Sequence, residues 1–220
     1  GPTPITVVVP PLDAASPRAS AVALNVTATD AVEPGYVTVY PCDQQRPAVS
    51  TVNQMPARTV ANSATVRLSA SGTFCVLASS DVNVIVDVVG SFSVGGLQLY
   101  QPMRAARIFD TRTAALWLPE GRLGQRWKLP LPLSALRVGG LGVAAVTATF
   151  TAVDPTQAGF ATVWACEPTR PPTSSLNWDD GVRAIANGAT AGLSSTGELC
   201  VYTLAETHLV IDLAGAWVNR

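Results

Sequence analysis

The stretch Gly35-Tyr36-Val37-Thr38-Val39-Tyr40-Pro41-Cys42 returns as Gly159-Phe160-Ala161-Thr162-Val163-Trp164-Ala165-Cys166. Each is a glycine, a run rich in β-branched and aromatic residues, and a cysteine. Such runs suit a pleated surface, and in the first copy Pro34-Gly35 and Pro41 bound the run as strand punctuation. The likeness spreads outward in register. At an offset of 124 residues, Thr27-Ala28 and Asp30 fall on Thr151-Ala152 and Asp154, Pro47 on Pro171, and Asn53 on Asn177. After one inserted residue the offset is 125: Ala61-Asn62 falls on Ala186-Asn187, Gly72 on Gly197, Cys75 on Cys200, Asp87 on Asp212 and Gly90 on Gly215. A fixed period kept at so many positions reads as a tandem duplication.

Within one copy every segment looks like a short strand. Val22 to Thr29 alternates, and Thr65 to Leu68, Thr73 to Leu77 and Val82 to Val89 follow at the close spacing of a sandwich or barrel. Seventeen glycines and 17 prolines punctuate the chain, and no window carries a helical apolar stripe. The expected fold is all-β: two tandem β-sandwich-like modules, with barrel-like and prism-like arrangements still open. Residues 1–97 form the first module and 98–220 the second, which adds the segment Met103 to Arg112. No counterpart of that segment precedes the first copy, although Ile5 to Pro10 matches the region of Leu129 to Leu133.

Composition narrows the partners. Over 220 residues, 14 basic and 15 acidic side chains leave a net charge of −1, so there is no basic footprint for nucleic acid or anionic lipid. Charged residues are 13% of the chain against a usual ~25%, so the surface is polar but weakly charged. No apolar run is long enough to span a membrane as a helix, and this chain is not expected to insert in one. The opening Gly1-Pro2, with neither Met nor a leader, reads as the scar left when a piece is cut from a longer protein.

Each copy holds two cysteines, 33 residues apart in the first and 34 in the second. Metal sites prefer short Cys-x-x-Cys or Cys-x-x-His spacings, which are absent. The spacing therefore points to the disulfides Cys42–Cys75 and Cys166–Cys200, with two buried free thiols per copy as the alternative. Disulfides persist outside a reducing cytosol, so the protein is expected to be exported.

Several motifs together carry a family resemblance: Arg107-Ile108-Phe109-Asp110-Thr111-Arg112, the Gly159 to Cys166 run, and Ser175-Leu176-Asn177-Trp178. To these are added Ile185-Ala186-Asn187, Gly197-Glu198-Leu199-Cys200-Val201-Tyr202 and Thr207 to Gly215. The chain resembles, over nearly its whole length, a secreted β-repeat module of the Arg-x-x-Asp-Thr-Arg type. Such modules occur in cell-envelope proteins of high-GC Gram-positive bacteria, often beside a peptidoglycan amidase. The resemblance implies an extracellular or cell-wall location and a non-catalytic accessory role. The partner would be cell-wall polysaccharide or an envelope protein, unless the module is a spacer. The chain departs from the pattern where the first copy lacks the Arg-x-x-Asp-Thr-Arg segment and has Asn83 in place of His208.

Catalytic chemistry finds little purchase. His208 is the only histidine and no Gly-x-Ser-x-Gly elbow or free nucleophilic cysteine accompanies it. Phosphate-cradling glycine motifs are absent, and no cofactor or metal is expected. A cell-wall hydrolase with an unrecognised Asp/Arg site is the rival reading. Asp179-Asp180 before Gly181 reads as a turn, with a calcium site second. The sequon Asn25-Val26-Thr27 lies in an expected strand and is discounted. Trp164 and Trp217 replace Tyr40 and Phe92 and read as packing. Trp178 replaces Gln54 beside that acid pair. It is either a loop contact for a sugar ring or partner, together with Asp179 and Asp180, or a cap on the second core.

The final strand of each copy carries an acid, Asp87 or Asp212, on a face otherwise mostly apolar. If that face is covered, the carboxylate needs a partner, and arginine's planar fork fits it. Arg107 and Arg112, flanking Asp110, are the close arginine pair. One of them is expected to pair with Asp212, making the motif a structural clasp, and Asp212→Asn is then expected to cost several kcal/mol. A ligand-binding or catalytic role for the cluster is the alternative.

Overall fold

The computed structural model describes residues 2–10, 19–113, 121–124 and 127–219. These residues are all-β: 16 strands in four sheets and no helix. The chain divides into two compact units, 1–96 and 97–220.

The first unit holds β1 (Ile5–Val8), β2 (Ala21–Thr29), β3 (Gly35–Pro41), β4 (Val52–Gln54), β5 (Val60–Arg67), β6 (Thr73–Ala78) and β7 (Asn83–Phe92). They form a four-stranded sheet in the order β1-β6-β3-β4 and a three-stranded sheet in the order β5-β2-β7. Both sheets send alternate side chains into one core. Val22, Leu24, Val26 and Ala28 come from β2; Val37, Val52, Phe74 and Val76 come from the facing sheet. Two sheets over a shared core make a sandwich. Strand β5 begins at Val60, earlier than the expected Thr65. Ala61 to Ala64 lack a strong β pattern, but continuous pairing from Ala28↔Val60 to Ala21↔Arg67 holds them extended.

The second unit holds β8 (Gln98–Asp110), β9 (Trp127–Pro132), β10 (Arg137–Val138), β11 (Leu141–Val153) and β12 (Gly159–Ala165). After them come β13 (Leu176–Trp178), β14 (Ala184–Gly192), β15 (Glu198–Thr203) and β16 (His208–Asn219). One sheet runs β13-β12-β15-β9, matching β4-β3-β6-β1 strand for strand. The other runs β14-β11-β16-β8, with β10 on β11. The registers agree at the sequence offsets: Asn25 faces Asp87, and Thr149 faces Asp212. The difference is β8. It adds a fourth strand on β16, while the equivalent strand β7 pairs, among the described residues, only with β2.

Each unit has one disulfide, Cys42–Cys75 with Cα atoms 5.0 Å apart and Cys166–Cys200 at 4.8 Å. No cysteine is free. No helix among the described residues is long and apolar enough to cross a membrane.

Alternation puts Val84, Val86 and Val88 on one face of β7 and Leu209, Ile211 and Leu213 on the matching face of β16, and the two faces are buried unevenly. Leu209, Ile211 and Leu213 are buried in the second core. Val84 and Val86 pack on the first, but Val88 is 40% exposed and does not belong with them. The register slips between Leu24↔Val88 and Ala23↔Gly90, leaving Val89 as an extra residue, but β16 slips in the same way at Ala214 with Leu213 only 1% exposed, so the bulge does not account for the exposure of Val88.

Candidate functional site: an arginine–aspartate clasp on the added strand

Successive side chains on a strand alternate between faces, so residues three apart point to opposite sides. Arg107 and Asp110 should therefore not meet. A bulge resolves this: Phe109 lies opposite Ile211 and Arg107 opposite Asp212, leaving Ile108 as an extra residue. One inserted residue returns Arg107 to the face of Asp110, and Arg107 Nη1 donates to Asp110 Oδ2 at 3.2 Å.

The same guanidinium forks onto the neighbouring strand. Arg107 Nε donates to Asp212 Oδ1 at 2.8 Å and Nη2 to Asp212 Oδ2 at 3.0 Å. Arg112 closes the other end, with Nε to Asp110 Oδ1 at 2.9 Å, Nη2 to Asp110 Oδ2 at 2.7 Å, and its backbone N–H to Oδ1 at 3.0 Å. The four charges run Asp212, Arg107, Asp110, Arg112, alternating in sign. Each carboxylate accepts a two-bond fork, the geometry guanidinium offers best.

Burial within this row corrects the expected energetics. Asp110 is the covered acid at 7% exposure, while the Asp212 side chain is 33% exposed and both arginines are open to water. Solvent screens the Arg107–Asp212 pair, so its loss costs about 1 kcal/mol or less, not the several expected of a buried pair. The carboxyl of Asp110 is lowered from 3.8 to about 2, chiefly by the hydrogen bond from Arg112. That of Asp212 is also lowered, chiefly by the hydrogen bond from Arg107.

Thr111 continues the join. Its Oγ1 accepts the Leu209 N–H at 2.9 Å, its own N–H donates to Leu209 O, and His208 Nδ1 lies 3.2 Å from the hydroxyl. The hydroxyl is buried and already bonded to backbone, so the pair fastens β8 to β16 and does not present a nucleophile to solvent.

Asp87, placed with the clasp from sequence, is corrected. Among the described residues no cation pairs with it, and its neighbour Ile85 is 51% exposed, so the face is not covered as supposed. Its carboxyl is raised by burial alone. The physical reason is the missing strand: the arginine of the second unit arrives on β8.

Trp178 is also corrected as a contact residue. It lies in β13, not a loop, and is 2% exposed. Its register partner is Gly159, whose missing side chain leaves room for the indole, with ring atoms 3.1 Å from where a Cβ would stand. Its Nε1 donates to Gln157 O at 3.0 Å. Gln54 does the same across Gly35, donating to Ser80 Oγ at 2.8 Å. The glycine opposite each position was the readable signal that a large side chain crosses there.

Asp179 and Asp180 follow that strand into a turn. Asp180 Oδ1 accepts the Gly181 N–H at 3.0 Å, and Gly181 has φ 72°. No group of three or more His, Cys, Asp or Glu side chains that could hold a metal occurs among the described residues.

Sequence reasoning misses one surface. On the outer side of the β12–β15 pair, Phe160 and Tyr202 sit 5.9 Å apart, with the Arg170 guanidinium 4.2 Å from the Tyr202 ring centre. These three half-buried groups come from separate segments, which is why no local motif marks them.

No family model, no curated protein and no solved structure matches the chain.

Proposed function

We propose that the chain is a tandem pair of disulfide-stapled β modules acting outside a bacterial cell, as a non-catalytic accessory region of a larger cell-envelope protein. The observation that carries this reading is the clasp. The acid and base cluster that a hydrolase would need is spent internally, each carboxylate forked by an arginine, with the Arg107 fork crossing from β8 to β16 and the Arg112 fork closing on Asp110 in its own segment. A general acid or base needs a free lone pair or proton near the operating pH, and an acid held at about 2 by two guanidiniums offers neither. The two disulfides suit an oxidising compartment. The resemblance to Arg-x-x-Asp-Thr-Arg envelope modules points the same way.

Contact with cell-wall glycan or an envelope protein would fall on the Phe160–Tyr202–Arg170 surface, where aromatic faces and a planar cation can stack on a sugar ring or a partner's side chain. The test is incubation with purified cell walls. The module is expected to co-sediment, to lose binding on Tyr202→Ala, and to release no soluble sugar or peptide. Release of product that stops with Arg107→Ala would establish the hydrolase instead.

A further inference from the structure

Seven strands of each unit correspond, and β8 and β10 are the second unit's additions, so the second shows what the described residues of the first lack. On β16, strand β8 leaves three marks: a fork on an acid, a ring over a glycine, and a threonine on a backbone pair. Each has an unmatched counterpart on β7.

The acid is Asp87, at the position of Asp212 and with no cation paired to it among the described residues. The glycine is Gly90, at the position of Gly215. A Cβ on Gly215 would run into the Tyr100 ring of β8, which also packs at a tilt against Trp217 with a centroid distance of 5.0 Å. A Cβ on Gly90 would meet only Ala23 among the described residues, at 3.9 Å, so the notch is there and no described ring fills it. The backbone pair is that of Val84, the counterpart of Leu209. Leu209 turns its N–H and C=O away from β11 and onto Thr111, and the same register on β2 turns those of Val84 to the open side.

Exposure repeats the contrast. Ile85 is 51% exposed where Val210 is 3%, and Val88 is 40% where Leu213 is 1%. In the second unit Leu123 also closes the space beside Thr207 through a bridge. In the first, Val82, at the position of Thr207, lines an open hollow of about 360 Å³ together with Val84 and Val76.

An edge strand whose outer backbone is paired by no described residue, and which carries exposed apolar residues, is a template for another strand. A half-buried acid beside it selects for a cation. We propose that the free edge of β7 accepts a fourth strand of the Arg-x-x-Asp-Thr-Arg kind, laid antiparallel, with its first arginine forked on Asp87 and an aromatic ring over Gly90. The occupant is a segment other than β8, because β8 is already held by β16 and would leave Asp212 unpaired if it moved.

The test places a copy of residues 98–124 ahead of Gly1, reproducing the spacing that β8 has to β9. Linkage at this distance supplies a high effective concentration, so a weak pairing is still populated. Amide hydrogen exchange is then followed at Val84 and Val86. Exchange is expected to slow at least tenfold relative to the 220-residue chain. Arg107→Ala in the copied segment alone, Asp87→Asn, and Gly90→Ala are each expected to reverse most of the gain. Unchanged exchange at both amides overturns the proposal, as does slowing that all three substitutions leave intact. Protection that appears in the 220-residue chain alone and grows with its concentration would assign the edge to a second copy, and also overturns it.

Discussion

Asp110 accepts four hydrogen bonds, from two arginine side chains and one backbone N–H, whereas Asp212 a strand away accepts two, both from Arg107. Coverage separates them further, since charge-assisted bonds are worth more where water cannot compete. Asp110→Asn is therefore expected to destabilise the second unit by about 1–2 kcal/mol, and Asp212→Asn by about 1 kcal/mol or less. Denaturant melts of both variants test this ordering, and a larger loss at Asp212 would mean the row is anchored at the other end. Trp178 gives a sharper case. With the indole buried over Gly159 and its N–H bonded to Gln157, Trp178→Ala removes apolar area, leaves a cavity and orphans a carbonyl, together about 3–5 kcal/mol. A melting temperature that stayed near the parent's would return Trp178 to the surface role that its acidic neighbours suggested.

At the level of strands, the added β8 is where local rules and tertiary arrangement part company. The likeness between the two halves of the sequence made the strands and disulfide spacings readable, because β-branched runs, turn residues and cysteines act locally and recur at nearly one offset. The partnership of Asp212 with an arginine was readable too, since a carboxylate on an apolar strand face has few other remedies. What could not be read was the bulge at Ile108, which alone puts Arg107 and Asp110 on one face, and the depth at which each acid lies. Both depend on how two strands distant in sequence slide past each other. Trp178 was obscured similarly: Asp179, Asp180 and Gly181 mark a real turn, but the turn begins one residue after the ring. The paired glycines offer a direct comparison of the two sheets. Gly215→Ala must displace Tyr100 from its tilted packing against Trp217 and is expected to cost about 1–3 kcal/mol. Gly90→Ala meets, among the described residues, only Ala23 at an ordinary contact distance of 3.9 Å and is expected to be neutral or to stabilise by up to about 1 kcal/mol through a less flexible unfolded chain. Equal losses at both positions, read from denaturant melts, would show that the glycines serve the bulge in each strand and not the ring above one of them.

Across the whole chain, carboxylates on the two final sheets respond to acid in opposite directions. Asp110 titrates at about 2 when folded, below its ordinary 3.8, because Arg112 and then Arg107 favour the charged form. The unfolded chain takes up the proton first, so this contribution is complete above about pH 4 and is lost as pH falls toward 2. A fall from 3.8 to about 2 corresponds to between about 2 and 3 kcal/mol, and screening by water at the open arginines reduces this to about 1–2 kcal/mol. Asp212 is lowered likewise, through Arg107. Asp87 moves the other way, since burial without a cation penalises its charge. There the folded state takes up the proton first, so ionised Asp87 costs stability at neutral pH and the cost disappears as pH falls through its raised value. Asparagine resembles the protonated acid, so the substitutions separate the two cases. Asp110→Asn is expected to quicken core-amide exchange of the second unit most at pH 7, with the difference fading toward pH 2. Asp87→Asn is expected to slow core-amide exchange of the first unit at pH 7 and to have no effect once the acid is protonated. Hydrogen exchange at Ile211 and Val26 across that range measures both, and a same-signed effect of the two substitutions at pH 7 would mean that Asp87 has a cationic partner after all.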